Sequence, residues 1–521
     1  MTKIYHKLIL SFLLVYLSAS GQPGFIIGYN NFNMIHFSQT LDSGFIMIGN
    51  DQILSTGLSQ IKVIKVDGSG YPEWTKSYSF SGNDVGGVIL QSPDSGFIIG
   101  AISYSDSGDM DDGLIIKINS IGDTLWVKKF GFSGNDGLSF ICKSSNGGYV
   151  ATGLTDSLSP NFARYIMKID DAGNIEWTRI LRFTGYIRTI TNTMDGGYLL
   201  AGRAYFLVPP FSGVYLGLLI KVDSNGIIQW SKGYGPQVYS SFASLKSIYE
   251  SPDGRIYSTG DFQYNDTSSI FDLIVLSTDS AGNLIWANRY GGQSVDNAFF
   301  IHQTPDSNLF VAANSSSFSN GVDSYALKIN TQGDTIWTRA YTGTNNGGQV
   351  YGAVLEDGSC ILAGSIRALN AGPVTMIKIP PTGPDPWCSI QPHTWIYPLN
   401  TETTIAVDTL TVPMNTHAYQ LTISSGFTSA NLACLTSILE NNEAEILVYP
   451  NPVDNKLIIE NIAGRLRIQI FDIQGKSYKD FNTQSFDNKC TLDLTNLKEG
   501  LYFLLISTNE KRYQKIIIKS S

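Results

Sequence analysis

The chain has 521 residues, of which only 15% are charged, and its formal net charge is −9. Lys and Arg are neither abundant nor clustered, which excludes a nucleic-acid binder that must displace counterions from phosphates. Gly (51), Tyr (27) and Phe (26) are plentiful. Tight turns need the first and half-buried pleated surfaces suit the others, so the chain reads as all-β, with room for two or three domains.

Lys3 and Lys7 flank the start of an apolar run, LILSFLLVYL (8–17), too short to cross a bilayer, and small residues follow at 18–21. Residues 1–21 are therefore expected to be a signal peptide. No later run reaches roughly 18 apolar residues, so the mature chain is not expected to span a membrane. Of five Cys, Cys142 and Cys360 lie in apolar strand-like runs and read as buried thiols. Cys388 and Cys434 bracket an irregular segment and are a candidate disulfide in an oxidising compartment. Cys490 is left over, and no Cys/His spacing suggests zinc.

The central part repeats. Trp74, Trp126, Trp177, Trp230, Trp286, Trp337 and Trp387 recur at intervals of 52, 51, 53, 56, 51 and 50 residues. Most follow a strand-like run and a turn, as in LIIKINSIGDTLW (114–126) and YALKINTQGDTIW (325–337). A second run follows a Gly turn in every repeat but the sixth, as in PDSGFIIG (93–100) and DGGYLLAG (195–202), with PDSNLFVAA (305–313) the degenerate copy. Residues 85–130 resolve into four short strands: VGGVILQS, GFIIGA, LIIKIN and LWVKKF. One such sheet cannot bury both faces, whereas seven arranged radially can. The expectation is a seven-bladed β-propeller over 22–387, with the repeated Trp filling the seams between blades. The seventh repeat lacks a proper fourth strand. FIIGY (25–29) places Phe25 and Tyr29 at the Trp-to-aromatic spacing, so the N-terminus is expected to supply that strand and remove two exposed edges.

These repeats resemble bacterial propellers loosely related to quinoprotein dehydrogenases. The resemblance covers about 25–387 and concerns architecture. Asp112, Asp272 and Asp323 match an Asp common before the third strand. A quinone-cofactor enzyme of that kind implies a vicinal Cys pair and eight blades, and neither is present.

Residues 388–443 are rich in Thr, Ser and Asn and read as a linker. Within it, 403–412 and 418–424 suggest a hairpin lying on the propeller. From 444 to 521 alternating strands without the repeat predict a small antiparallel β-sandwich, Ig-like. Tyr449, Pro450, Asn451 and Pro452 open it, Gly475 with Lys476 gives the hairpin after Asp472, and Gly500 and Tyr502 belong to a turn into a core strand. These motifs resemble a type A C-terminal sorting domain of the type IX secretion system of Bacteroidetes. That resemblance implies the secretion machinery as a partner, and a chain that is released outside the cell or attached to the outer-membrane surface.

Little in the sequence suggests catalysis. Past the leader the histidines are His36, His302, His393 and His417, and neither GxSxG nor HExxH occurs. The acidic loop bearing Asp106, Asp109, Asp111 and Asp112 is a calcium candidate, but it lacks the distal bidentate Glu of an EF-hand, and a solvated turn is the plainer reading. No other cofactor is expected. The inserted loop 208–217 carries Phe211 and Tyr215, which either contact a partner or pack over their own blade. Loops between the second and third strands vary from repeat to repeat, and binding residues concentrate on such loops. The sequence thus predicts a noncatalytic secreted propeller that binds a glycan, peptide or surface partner. The alternatives are an extracellular polymer-degrading enzyme and a structural adhesin.

Overall fold

The computed structural model describes residues 25–29, 32–52, 58–80, 82–105, 112–132, 134–156, 163–206, 213–235, 242–263, 271–318, 321–341, 349–364, 374–381 and 383. Shorter pieces follow: 397–398, 402–404, 408–410, 415–418, 422–425, 430–432, 447–449, 453, 455–460, 465–472, 477–484, 489–498, 500–508 and 512–519. The expected signal peptide lies outside them. Among the described residues the chain is all-β, with no helix.

The second repeat shows how a repeat folds. Gly82–Gln91, Phe97–Ser105, Asp112–Ile118 and Thr124–Gly131 pair antiparallel in chain order. The middle strands are apolar on both faces because both faces are covered; Ile98, Ile99, Ile115 and Ile116 are all fully buried. The other repeats follow the same order. All these sheets are open. A single parallel bridge, Tyr215 to Phe242, joins the fourth and fifth repeats into one ten-stranded sheet.

A lysine sits within each apolar third strand of most repeats. In the second repeat Lys117 is 5% exposed, and its ammonium reaches the Asp94 carboxylate of the first turn at 2.8 Å. Lys65 with Asp42 (2.8 Å), Lys221 with Asp195 (2.8 Å) and Lys328 with Asp306 (2.7 Å) repeat the pair. Each carboxylate also accepts a hydrogen bond within its own turn, as Asp94 does from the Gly96 N–H. The pair therefore locks the turn onto the strand and satisfies a cation that burial alone would not tolerate.

The repeats meet through tryptophan. The indole of Trp126 presses on Gly173, whose φ is +77°, and a Cβ there would stand 2.8 Å from the ring. Trp74 lies likewise on Gly122, Trp177 on Gly226, Trp230 on Gly282, Trp286 on Gly333, and Trp337 beside Gly383. In each case the glycine belongs to the last turn of the following repeat. A side chain there would lose both the turn conformation and the indole contact. The Trp N–H also donates to that turn, from Trp230 to the Ser280 carbonyl at 3.2 Å and from Trp286 to the Thr331 carbonyl at 3.0 Å.

The first strands of successive repeats lie against one another in chain order, and Asn33–Gln39 of the first repeat lies against Val350–Val354 of the seventh. The N-terminal strand Phe25–Tyr29 pairs antiparallel with Val374–Ile379 of the seventh repeat, Ile27 opposite Met376 and Tyr29 opposite Val374. One apolar core then joins Ile27, Tyr29 and Met376 to Phe37, Phe45 and Ile64 of the first repeat.

The segment read as a linker is organised differently. Tyr397–Pro398 pairs with Leu284–Tyr290, Glu402–Thr404 with Ile228–Tyr234, and Asp408–Leu410 with Ile175–Arg182. Asn415–Ala418 pairs with Thr124–Gly131, Thr422–Ser425 with Pro72–Ser79, and Ala430–Leu432 with Phe25–Tyr29. This stretch visits the outer strands of the fifth, fourth, third, second and first repeats in turn, then the N-terminal strand. The hairpin expected from 403–412 and 418–424 is not among these pairings, because each short run finds an open edge rather than its neighbour.

The C-terminal part has a three-stranded and a four-stranded sheet. Leu457, Ile459 and Leu492 from the first share one core with Ile468, Ile470, Leu504 and Ile506 from the second.

Candidate binding site

A β-bulge recurs in the first strand of six repeats. The pairing register skips Ile35, Gly87, Ser139, Arg188, Lys246 and Phe299. A bulge re-aims the extra residue out of the pleat. In the fourth, fifth and sixth repeats those residues are an arginine, a lysine and a phenylalanine, and the chemistry gathers there.

Lys246 is ion-paired with Asp261, and the two side chains are 12% and 10% exposed. The Lys246 ammonium also stands 4.1 Å from the centre of the Phe299 ring. Burial lowers the Lys246 ammonium and raises the Asp261 carboxyl; the charges of Lys246, Arg188 and Arg203 act back on Asp261 in the opposite direction. Asp261 Oδ1 is buried and has no hydrogen-bond partner among the described residues. Arg203 stacks 5.1 Å from both Tyr215 and Phe242. Aromatic rings continue the surface, with Tyr205 to Tyr215 at 5.2 Å, Tyr215 to Phe242 at 5.6 Å and Phe242 to Phe271 at 5.5 Å.

A cavity of about 1600 Å³ lies at the other end of the first strands, by the first turns. Gln39, Gln91, Lys143, Asn192 and the paired Lys378 and Asp357 line it together with Leu90 and Phe140. His36 is buried close by, its ring 5.6 Å from Phe140 and 5.5 Å from Tyr351, and burial pushes its imidazole down to about 4. His302 packs on Tyr249 at 4.2 Å. Both are packed side chains.

Of the residues singled out in the sequence, Asp112 is ion-paired with Lys129, while Asp106, Asp109 and Asp111 lie outside the described residues. Among the described residues no group of three His, Cys, Asp or Glu could hold a metal. Tyr215 is placed in the aromatic row, and Phe211 lies outside the description, as do Trp387, Cys388, Cys434 and His393. Cys142, Cys360 and Cys490 are free and buried. In the tail, Tyr449 ends the strand Leu447–Tyr449, and Gly500 opens Gly500–Ser507. Tyr502 is buried and donates to the Lys498 carbonyl at 3.0 Å. Pro450, Asn451, Pro452, Gly475 and Lys476 lie outside the described residues. Arg188, Lys246 and Asp261 were not anticipated. A charged residue breaking the apolar alternation of a first strand was the available signal.

Export of the chain has support from a known family. Residues 447–519 match the secretion system C-terminal sorting domain. A domain of this kind marks proteins that are exported through the type IX system and are attached to the cell surface or released, and it implies contact with that machinery. No helix among the described residues is long and apolar enough to cross a membrane. No curated protein matches the chain. Solved structures similar to it include a eukaryotic initiation factor (12% identity, 60% of this chain and 78% of that one, TM-score 0.32). Another is Sqt1 from Chaetomium thermophilum (12% identity, 72% of this chain and 90% of that one, TM-score 0.35). Both likenesses are distant.

Proposed function

We propose that this is a secreted, noncatalytic seven-bladed β-propeller of a Bacteroidetes species, carried out of the cell by its C-terminal domain. Its blades present a ligand site at the end where the second-to-third-strand loops emerge. The architecture is supported by the cyclic order of the first strands and by the seam that Tyr29 makes with the first repeat. The binding role is supported above all by one observation. The buried carboxylate of Asp261 is ion-paired with the bulge lysine Lys246, which places a cation and a hydrogen-bond acceptor side by side. Cationic and aromatic side chains around it offer contacts for a ligand. Residues 22–387 are proposed to make up the propeller and 444–521 the sorting domain.

The test is a glycan and peptide array probed with the mature full-length chain, run beside a hydrolase screen on the same polymers. Retention of an array ligand without turnover is expected. Turnover of any polymer would replace this reading with the enzymatic one.

A further inference from the structure

We infer that the cluster formed by Arg188, Lys246 and Asp261 with the neighbouring aromatic rings binds a sugar acid, a uronate unit of an acidic glycan. The inference rests on the binding role proposed above and names its ligand class.

Three features of the cluster each require a different group on the ligand. The first is Arg188, which a bulge lifts out of the strand pairing and which has no hydrogen bond or ion pair among the described residues. A guanidinium with no internal partner is matched by a carboxylate, which it holds through two parallel hydrogen bonds. Lys246 adds a second cation beside it. Lys246 is itself paired with Asp261, which leaves the Arg188 guanidinium as the cation open to an anionic group.

The second feature is Asp261. One oxygen is occupied by Lys246, while Oδ1 is buried without a donor. An acceptor in that position is costly unless a ligand supplies a hydroxyl or amide hydrogen. The third is the aromatic surface of Phe299 beside Lys246 and of Tyr215 and Phe242 beside Arg203, the last two rings inclined at 51°. Such surfaces suit the C–H face of a pyranose ring. Phosphate or sulfate provides the anion but neither the hydroxyl donor nor the apolar face. A neutral sugar provides hydroxyls and face but leaves Arg188 unmatched. A uronate carries all three on one ring.

The experiment is calorimetric titration of the mature full-length chain, and of its Arg188→Gln variant, with oligogalacturonate, neutral oligogalactose and an oligoglutamate peptide. Arg188 has no hydrogen bond or ion pair among the described residues, and its charge acts on Asp261, so the melting temperature of the variant is measured alongside and should stay within a few degrees of the parent's. The expected result is binding of oligogalacturonate that falls roughly 10- to 100-fold in Arg188→Gln, the loss of one charge-assisted contact, with oligogalactose and oligoglutamate bound more weakly. Oligogalactose bound as tightly, or uronate binding unchanged in the variant, overturns the sugar-acid assignment and leaves the binding role standing. Preference for oligoglutamate also overturns it and assigns the site to an acidic protein. Binding of none of the three overturns both this assignment and a glycan or peptide role for this end of the molecule.

Discussion

The hydroxyl of Tyr29 donates a 2.6 Å hydrogen bond to the carbonyl of Gly70. Tyr234 makes the same bond to Gly282 and Tyr290 to Gly333, each at 2.7 Å. A residue of the N-terminal strand thus repeats, against the first repeat, the contact by which later repeats join. Deleting residues 22–30 removes this bond and leaves Val374–Ile379 with an open edge. It also unburies Ile27 and Tyr29, each worth roughly 1.5–3 kcal/mol. Trp230→Ala opens a cavity in one seam and should cost about 3–5 kcal/mol. Urea midpoints of the two variants are expected to place the deletion below the Trp variant. A milder deletion would mean that the N-terminal strand contributes little to holding the repeats together.

His36 should make stability depend on acid. Its imidazole ordinarily titrates near 6.5, and in the folded chain it is lowered to about 4. Between these values the unfolded chain binds a proton that the folded chain does not, so stability is full above about 6.5 and falls as pH drops toward about 4. The upper bound is about 3 kcal/mol, from the size of the shift. Asp136 and Asp296 act in the opposite sense, because burial raises both to about 6; their contribution is present below about 4 and is lost as pH rises through 6. The difference between the parent and His36→Phe, measured by urea melts across this range, isolates the histidine. A difference that does not change with pH would refute its assignment as a buried neutral side chain.

Cys142 and Cys360 should resist alkylation in the folded protein. Burial pushes both thiols up to about 12, so thiolate is scarce at neutral pH and reagent access is blocked as well. Peptide-resolved mass spectrometry after iodoacetamide should find them unlabelled in buffer and fully labelled in denaturant. Rapid native labelling would contradict the packing described for these strands.

The short strands from 397 to 432 should protect sheet edges. Removing residues 397–432 while joining the flanking chain would strip a partner from six outer strands. Exposed edges promote association between chains, so the variant should keep its β-sheet circular dichroism but sediment as oligomers. A monomeric variant of unchanged solubility would show that the outer strands need no cover.

The sorting domain yields a localisation experiment. A chain lacking 444–521 is expected to accumulate in the periplasm, whereas the parent reaches the surface or medium. Equal amounts outside the cell would mean that the export signal lies elsewhere.

What the sequence revealed depended on how far each signal was local. The strand at Phe25–Tyr29 was readable because its two aromatics keep the spacing of Trp126 and Phe130. The sorting domain was readable because its turn motifs are dense and contiguous. Lys117 escaped notice, since one lysine within LIIKI reads as an interruption until the turn carboxylate of Asp94 is seen beside it. Arg188 and Lys246 escaped for another reason. Alternation assigns side chains to faces with a period of two, and a bulge shifts that count by one residue without leaving a mark in composition. The strands from 397 to 432 are two to four residues long, too short to alternate, and they take their structure from the edges they meet.

The pairing of Phe25–Tyr29 with Val374–Ile379 also orders events in time. Tyr29 touches Met376 across 347 positions of sequence, so this strand must wait for the seventh repeat. Closing so long a loop is entropically costly and slow. Until then Ile27 and Tyr29 have only the first repeat to pack against, and the strand that carries them lacks its pairing partner. Refolding experiments should therefore show a late kinetic phase that disappears when this strand is supplied from the C-terminal side of residue 379, by circular permutation.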